Sequence, residues 1–557
     1  MHFLKKLRSL PRATTANAGN NKAVFAASNN INNISSIDNT KLLPDAVLSH
    51  ILSYVCPHAL DTSYKSSEES MTEDGCMLCD MRDLAHCVAA CKRWKGLAQK
   101  LLYQNVRLDA VHYCELEIEL SSKRKRRSFV DTTGKAIDVV QMRLLLFMKT
   151  VRESSRLANL VLSLRLPYMT REASKADLAR TVSVLHHLRY VDLPAGFYSD
   201  DVSSYTLKQE LMARCPDTRH MRYAHGSEGS FSRIPGSRLW ENLEVLELSD
   251  LHIDETTLRQ VLDSFKALKS LKMDNLKAVT DSVFASTHSL PPFPALETII
   301  LRNMPYLTAT GLATHLSLPA NRDPLKNLVL TQTGVLPETL HVLVSKASRL
   351  ESLTLEATVD RSFPVVDVPH LSSNSVRKLH YEISSANGPY GAQPVSGSYY
   401  KYLIGSLTSR SLPALQELYV LDPHFADTLV LAPFQQLSLK DETASPTASQ
   451  GLPRPLSLFA KGIDEMDWNL TQIEPASSQA SVLSLPSSPS PGQRASAARP
   501  VSFHAAQLSP PWGGDARRSI VVGNGFGGFL AVPVDESRPK SSSGGGYKRQ
   551  SKYDMWR

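Results

Sequence analysis

Residues 42–55 read Leu-Leu-Pro-Asp-Ala-Val-Leu-Ser-His-Ile-Leu-Ser-Tyr-Val, and this stretch decides how the beginning of the chain folds. Pro44 suits the first position of a helix, where no backbone N–H is needed, and Asp45 places negative charge at the positive end of the helix dipole. Five apolar residues then recur at helical spacing on one face: Val47, Leu48, Ile51, Leu52 and Val55. The stretch therefore predicts a short amphipathic helix that cannot bury its apolar face alone.

Residues 83–103 predict a second amphipathic helix that packs on the first. Its apolar residues form one stripe, which consists of Leu84, Cys87, Val88, Cys91, Trp94, Leu97 and Leu101. Two amphipathic helices of this length need each other and also a partner surface. The pair is therefore expected to leave an apolar face for another protein to cover.

Together, the two segments resemble an F-box, predicted over residues 39–108. The residues that carry the resemblance are Leu43-Pro44 near the start, the pair Ile51-Leu52, and the run Ala90-Cys91-Lys92-Arg93-Trp94 near the end. Ala46 stands where the family usually has an acidic residue, Ala90-Cys91 replaces the usual Val-Ser, and an insert at residues 61–82 separates the two halves. The alternative is an ordinary helical hairpin that packs on its own domain.

From Leu157 onward, the sequence repeats the frame apolar-x-x-apolar-x-apolar. The ten frames begin at Leu157, Leu188, Thr218, Leu243, Leu268, Leu296, Leu325, Leu350, Val376 and Leu415. Successive frames begin 25 to 39 residues apart, which clusters near the period of leucine-rich repeats. The second and third apolar residues of a frame point from one strand face into the core, and only a stack of such units buries that face. With helical patterns between the frames, residues 157–423 predict an α/β solenoid.

An F-box followed by these repeats resembles the F-box/leucine-rich-repeat family, most of all such proteins of filamentous fungi with a split F-box. The resemblance covers residues 39–423. It implies a substrate-recognition subunit of an SCF-type ubiquitin ligase, which docks a Skp-family adaptor, and through it a cullin, and binds a protein target for ubiquitination. The chain would bring reactants together without catalysis of its own. The implied adaptor-binding residues are Leu43, Pro44, Ile51, Leu52, Cys91 and Trp94.

The residue between the second and third apolar positions of each frame points away from the core. This outward column contains Val161, Asp192, Arg222, Glu247, Lys272, Ile300, Val329, Thr354, His380 and Tyr419. Its mixture of charged and apolar side chains favours an unknown protein target over nucleic acid. The predicted target-binding residues are Arg222, Lys272 and Tyr419 from this column and Arg302 from the column beside it. A cation on a rigid strand can pair with an acidic or phosphorylated residue of the target.

The segments outside the F-box and the repeats complete the predicted organisation. Residues 1–38 are Asn-rich with a single acid at the end, and they predict a disordered leader. Residues 109–156 predict a helical linker with a basic run at 123–127, which indicates either a nuclear import signal or a solvated helix end. Residues 424–557, rich in Ser, Pro and Gly, predict a mostly disordered tail.

Two islands in the predicted tail have an apolar pattern. Residues 459–468 are interpreted as a docking peptide, and residues 519–532 predict a small hairpin. The string at 523–528 formally matches G-x-G-x-x-G, but it lies in no βαβ unit and is better explained by a tight turn.

Four cysteines raise the question of a metal site. Cys76 and Cys79 have ligand spacing, and Cys87 and Cys91 follow at helical spacing, so four thiolates can in principle hold zinc. Cys87 and Cys91 also fit the packing stripe of the predicted helix as small apolar residues. The sequence therefore favours no metal and no other cofactor, and it predicts that Cys76 and Cys79 are dispensable for folding.

Composition and motifs argue against several function classes. The net charge of +8 is modest for 557 residues, and no apolar run approaches the length of a membrane span. Seven cysteines without a regular pairing pattern predict an intracellular setting, in the cytoplasm, the nucleus or both. No catalytic motif is present, so no catalytic residue is predicted. Two alternatives stay open: a leucine-rich-repeat interaction scaffold without a ligase role, and a zinc- or nucleic-acid-binding regulator.

Overall fold

The structure is a computed structural model, and it describes part of the chain. The described residues are 42–72, 77–108, 139–237, 239–285, 289–364, 368–386, 395–431, 452, 454–474, 519–523 and 529–533. The predicted leader, the basic run at 123–127 and most of the predicted tail lie outside them. The chain divides into two units, residues 1–484 and residues 485–557. Within the described ranges, none of the helices is long and apolar enough to cross a membrane.

The first unit alternates helices with strands. Its helices are α1 (Asp45–Ser53), α2 (Met77–Ala90), α3 (Lys92–Gln104), α4 (Val139–Glu153), α5 (Ser155–Ala158), α6 (Tyr168–Ala173), α7 (Lys175–Val182), α8 (Ala195–Tyr198), α9 (Tyr205–Arg214), α10 (Glu228–Phe231), α11 (Glu255–Ser264), α12 (Ala309–His315), α13 (Pro319–Arg322), α14 (Leu340–Lys346), α15 (Gly397–Thr408) and α16 (Phe425–Leu431). Short 3₁₀ helices lie at Pro57–Leu60, Glu69–Thr72, Val202–Ser204, Ile234–Gly236, Asp281–Phe284 and Pro337–Thr339.

The strands pair in the order in which they occur along the chain. They are β1 (Asn105–Arg107), β2 (Ser163–Arg165), β3 (Tyr190–Val191), β4 (His220–Ala224), β5 (Val245–Ser249), β6 (Ser270–Asp274), β7 (Thr298–Arg302), β8 (Asn327–Thr331), β9 (Ser352–Val359), β10 (Lys378–Ser385), β11 (Glu417–Val420), β12 (Leu456–Ala460) and β13 (Asn469–Ile473). Strands β1–β3 form one parallel sheet, and β4–β13 form a ten-stranded sheet in which only β13 is antiparallel to its neighbour. The first unit is therefore an α/β structure with a long, mostly parallel sheet.

The second unit contains a hairpin of β14 (Ser519–Gly523) and β15 (Phe529–Pro533), which pair antiparallel. The sequence predicted a hairpin at 519–532, so this pairing agrees with the prediction. The glycine-rich residues 524–528 at its turn lie outside the described part of the chain.

The helical module, which we define as residues 42–60 and 77–104, has a small core of its own. This core consists of Leu48, Leu52, Cys56, Ala59, Leu84, Ala98 and Leu101. It is separate from the large core, which extends from Val106 to Ala460. The large core belongs to strands β1–β13 and their connections, which we call the strand array. The module is therefore a distinct packing unit within the first unit of the chain.

The single helix predicted over residues 83–103 is two helices. Cys91 interrupts them with an extended backbone, and its sulfur accepts a hydrogen bond from the backbone N–H of Trp94 at 3.4 Å. Cys91 is exposed, so its assignment to the packing stripe is wrong. The backbone N–H groups in the first turn of α3 have no partners inside the helix, and Cys91 caps this turn instead of packing on the core.

The nine frames from Leu188 onward lie at β3–β11, with the apolar residues of the frames buried. The frame predicted at Leu157 is wrong. Leu164 in β2 pairs in register with Val191 in β3, so the frame there is Val161-Leu164-Leu166, and Val161 is buried rather than outward. The same apolar spacing occurs twice, four residues apart, and strand pairing selects the second copy.

Strand β12 continues the parallel sheet beyond residue 423, where the sequence placed the beginning of the tail. Its register with β11 places Leu458 beside Leu418 and Phe459 beside Tyr419. Leu456, Leu458 and Ala460 are buried, so β12 adds one more unit to the large core. The Ser- and Pro-rich surroundings hid this alternation in the sequence.

A left-handed turn recurs just after the strands β5–β8. The residues there have positive φ: Asp250 at 55°, Asn275 at 53°, Asn303 at 51° and Gln332 at 49°. Each donates its backbone N–H to a carbonyl of the next strand, for example Asn275 to Arg302 at 3.0 Å. Asn and Asp tolerate this conformation better than other side chains. The turn therefore keeps successive strands in the same register.

Residues 61–70, which we call the strap, connect the helical module to the first strands. Arg165 in β2 binds the Asp61 carboxylate at 2.6 Å and donates to the Ser63 carbonyl at 2.8 Å. Asn105 in β1 donates its side-chain amide to the Asp61 carbonyl at 2.8 Å and to two earlier carbonyls. Burial acts to raise the pKa of Asp61, but hydrogen bonds from Ser63 and Arg165 and the charge of Arg165 lower it below its usual value.

The second half of the strap is held by buried groups of β1 and β3. Arg107 donates to the carbonyls of Ser67 at 2.5 Å and Ser70 at 3.3 Å. The Ser67 backbone N–H donates to Asp192 at 3.0 Å, and this carboxylate also accepts a hydrogen bond from Tyr190 at 2.7 Å. Residues 61–70 of the insert predicted at 61–82 thus lie across the outward side of β1–β3.

Replacing Arg165 with Met is expected to lower the free energy of unfolding by about 3 kcal/mol, because Asp61 then keeps its charge without its partner. Urea unfolding measures this difference. The folded-state pKa of Asp61 is lowered, so the stability that it adds is present above its ordinary pKa and is lost as the pH falls through the lowered value. The difference between variant and wild type should therefore shrink in acid.

The matched control is Arg180→Met, which removes an exposed arginine that lies 3.5 Å from Asp177 on the same helix. An exposed pair of this kind contributes about 0.5 kcal/mol at most. Equal losses in the two variants would contradict the role assigned to the strap.

Candidate functional site

The helical module has an exposed apolar patch, which we define as Leu42, Val47, Ile51 and Tyr54. On α1, Leu48 and Leu52 face the small core, whereas Val47 and Ile51 lie one turn apart on the adjacent side of the helix, which is exposed. Ile51 is 47% exposed although its neighbour Leu52 is 2% exposed. A contiguous apolar patch on a short helix is typical of a surface that another protein covers.

Arg93 fixes the beginning of α1 against the beginning of α3. Its guanidinium lies 2.7 Å from the Asp45 carboxylate, and it also donates to the Leu43 carbonyl. These contacts hold the Leu43-Pro44 segment beside the Cys91–Trp94 turn. Sequence reasoning gave Arg93 no role, and its position inside the Lys-Arg-Trp run was the available signal.

The six predicted adaptor-binding residues have different environments. Pro44, Ile51 and Cys91 are exposed, and Leu43 is half-buried. Trp94 is also half-buried and packs against the small core. Leu52 is buried in that core, so it supports the patch from beneath and cannot touch a partner directly. Whether the others bind an adaptor stays a prediction.

The outward residues of β4–β12 form one continuous column, which we call the open face. In register they are Arg222, Glu247, Lys272, Ile300, Val329, Thr354, His380, Tyr419 and Phe459. Helices fill the connections on the other side of the strands, where the large core lies. The predicted target-binding residues Arg222, Lys272 and Tyr419 thus share one face, and Arg302 ends β7 beside it.

The first part of the open face is charged. Glu247 accepts contacts from Lys272 at 2.8 Å and from His220 at 3.2 Å. Burial acts to raise the pKa of Glu247, but the hydrogen bond and charge of His220 and the charge of Lys272 lower it to about 2. Lys272 is therefore engaged within the chain, whereas Arg222 and Arg302 are exposed.

The last part of the open face is an aromatic ladder, which we define as His380, Tyr419 and Phe459. The His380 and Tyr419 rings stack with centroids 3.8 Å apart, and the Tyr419 and Phe459 rings with centroids 4.3 Å apart, all nearly parallel. Trp468 meets Tyr419 edge-on at 5.3 Å. The ladder exists because parallel register puts equivalent positions of β10, β11 and β12 side by side. Sequence reasoning missed Phe459 and Trp468, which it assigned to a separate docking peptide.

The aromatic ladder is flanked by cations. The Lys378 ammonium lies 4.8 Å from the Tyr419 ring centroid, and the Lys461 ammonium lies 4.4 Å from that of Trp468. Aromatic residues are enriched at the centres of protein interfaces, where rigid rings bury much area at little cost in entropy. The open face therefore combines charged, aliphatic and aromatic surface on one rigid support.

Two of the four candidate zinc ligands, Cys87 and Cys91, belong to the described residues. Among them, no group of three or more His, Cys, Asp or Glu residues is placed to hold a metal ion. Cys76 and the side chain of Cys79 lie outside the described part of the chain, so their dispensability stays a prediction.

No protein-family model matches this sequence, and no curated protein matches it. Among solved structures, the chain is similar to a chain of the crystal structure of the Rad7 and Elc1 complex in yeast. The TM-score is 0.33 and the sequence identity is 13%, and the match covers 49% of this chain and 66% of that chain. A likeness this distant carries no argument about function.

Lys272 on the open face and an exposed lysine outside the strands are expected to respond differently to charge reversal. Lys272→Glu puts a second carboxylate beside Glu247 and should lower the free energy of unfolding by about 1–2 kcal/mol, since like charges on neighbouring strands repel. Lys277→Glu, at an exposed lysine outside the strands, is the matched control and should change it by no more than about 0.5 kcal/mol. Urea midpoints at neutral pH compare the two variants. Equal midpoints would show that the Lys272–Glu247 pair does not matter for stability.

Proposed function

We propose that this chain is the substrate-recognition subunit of an SCF-type ubiquitin ligase, an F-box/leucine-rich-repeat protein. The helical module docks a Skp-family adaptor, and the strand array is a leucine-rich-repeat solenoid that binds a protein target. One observation carries the proposal: a helical module with its own core keeps an exposed apolar patch, while the adjoining array keeps a separate open face. Two unpartnered surfaces on one chain suit a protein that joins two others.

Adaptor docking is supported by the chemistry of the apolar patch. Val47 and Ile51 are exposed on the side of α1 that faces away from the small core. Arg93 holds the neighbouring Leu43-Pro44 segment in place, so the contact surface is ordered before binding. Preorganised apolar side chains lose little entropy on association.

Target binding is supported by the geometry of the array. Each strand unit contacts its neighbours in chain order, so the outward column is held at a regular spacing by backbone hydrogen bonds. Rigid strands position side chains more sharply than loops do. The exposed Arg222 and Arg302 and the aromatic ladder offer both charged and apolar contacts to a protein.

The strap gives the proposed receptor a defined shape. Asp61, Ser67 and Ser70 bind side chains of β1–β3 across the boundary between the module and the array. Ubiquitin transfer within such a complex depends on proximity, and a fixed angle between docking surface and target surface preserves it. The chain itself would contribute no reacting group.

Val47→Glu combined with Ile51→Glu is expected to abolish co-purification of the Skp-family adaptor, because two charges then enter the apolar contact. Melting should move little, since both side chains are exposed. The matched control is Tyr306→Glu, which charges an exposed aromatic residue outside the module. Undiminished adaptor binding by the folded double variant would refute the docking surface. Failure of wild type to bind any adaptor would favour an interaction scaffold without a ligase role.

Arg222→Glu combined with Arg302→Glu is expected to reduce capture of the protein target at least about tenfold while adaptor binding persists, because each reversal replaces an attraction by a repulsion. Affinity purification with mass spectrometry compares the captured proteins. Arg180→Glu with Arg233→Glu is the control, since both arginines are exposed and lie outside the strands. Full capture by the open-face variant would place recognition elsewhere.

A further inference from the structure

The residue immediately before each strand from β4 to β10 is charged, and the sign alternates. In order these residues are Arg219, Glu244, Lys269, Glu297, Lys326, Glu351 and Arg377. Arg219 lies 2.7 Å from Glu244, and Lys269 lies 3.7 Å from the same carboxylate. Lys326 lies 3.2 Å from Glu297. Along this edge of the sheet, neighbouring strands therefore neutralise each other.

The pattern changes over the last strands, where cations are in excess. Arg349 precedes β9 by a short turn, Arg377 directly precedes β10, and Arg454 precedes β12. All three side chains belong to exposed residues, and none forms an ion pair with any residue that the structure describes. An exposed guanidinium without a partner keeps its full capacity for bidentate hydrogen bonding.

These arginines surround one groove with a cavity volume of about 530 Å³. Its lining also contains Lys326 and the polar side chains of Ser348, Asn374 and Ser375. Two acids belong to the lining as well. Asp323 is paired with Arg322 at 3.4 Å, and Lys326 is paired with Glu297, which does not line the groove. Three unpaired cations then remain against the single carboxylate of Glu351. The groove is therefore net positive at its surface.

We propose that this groove, on the strand edge formed by β8–β12, binds an extended acidic protein segment through Arg349, Arg377 and Arg454. Guanidinium groups form short, paired hydrogen bonds with carboxylates and phosphates, so aspartate, glutamate or a phosphorylated side chain supplies the required oxyanions. The site is separate from the open face and does not depend on the adaptor.

The two acids of the lining favour a peptide over a nucleic acid. A nucleic-acid strand carries one negative charge at every phosphate, and some of these would fall against Glu351 or Asp323. A peptide can present acids opposite the arginines and neutral residues opposite the carboxylates. Asn374 and Ser348 then meet the neutral part of its backbone with hydrogen-bonding groups.

The test measures binding of a fluorescein-labelled polyglutamate peptide to the full chain by fluorescence anisotropy. Wild type should bind with an affinity that falls as salt is added. Arg349→Glu with Arg377→Glu should weaken binding at least about tenfold, and Arg349→Gln with Arg377→Gln should weaken it less, because only the attraction is removed. The control Arg180→Glu with Arg233→Glu makes the same change of charge at two exposed arginines outside the strands and should bind like wild type.

Further probes separate the sources of the oxyanion. A phosphoserine peptide that binds more tightly than polyglutamate assigns the groove to phosphorylated segments, and inorganic phosphate should then compete with it. Equal binding by wild type and the groove variant would overturn the proposal, as would an equal loss in the groove variant and in the control Arg180→Glu with Arg233→Glu. Tighter binding of a single-stranded DNA oligonucleotide, lost in the groove variant, would also overturn it. Co-purification of the Skp-family adaptor with the same variants tests the proposed ligase role independently of the groove.

Discussion

The structure depends on one constraint: a single strand with its connecting helix cannot bury its own apolar face. Each unit buries the second and third apolar residues of its frame only because the next strand places equivalent residues beside them, as Leu246 and Leu271 do in β5 and β6. Parallel pairing in chain order satisfies the backbone hydrogen bonds at the same time. The large core, the left-handed turns and the outward column all follow from repetition of this one contact.

The boundary between the helical module and the array is stabilised differently, by polar groups that burial forces to find partners. Arg107 and Arg165 point outward from β1 and β2, yet both are buried because the strap covers them. A buried guanidinium without acceptors is costly, and the strap supplies carbonyls and the Asp61 carboxylate. The module is thus joined to the array by specific directional contacts, while the two apolar cores remain separate.

Among the described residues, three exposed surfaces differ in chemistry. The patch on α1 is apolar, the open face changes from charged to aromatic along the sheet, and the edge groove near Arg377 is cationic. The open face and the edge groove are separate because strand faces and strand ends are different sides of one repeating unit, and the apolar patch lies on the helical module, which has its own core. The proposed role as a receptor requires surfaces that do not overlap.

The sequence by itself determined the local pattern. Helix α1, the nine frames from Leu188 onward and the outward direction of Arg222 and Tyr419 follow from periodicity, which depends only on residues close together in the chain. The tertiary structure decided everything that depends on distant partners. Strand pairing chose Val161-Leu164-Leu166 over an equally good frame four residues earlier, and it paired Lys272 with Glu247. The strap buried Arg165, and β12 joined the sheet from a Ser- and Pro-rich context. Periodicity indicates which side of a helix or strand is apolar. The residues that each side contacts are determined by the pairing of segments that lie far apart in the sequence.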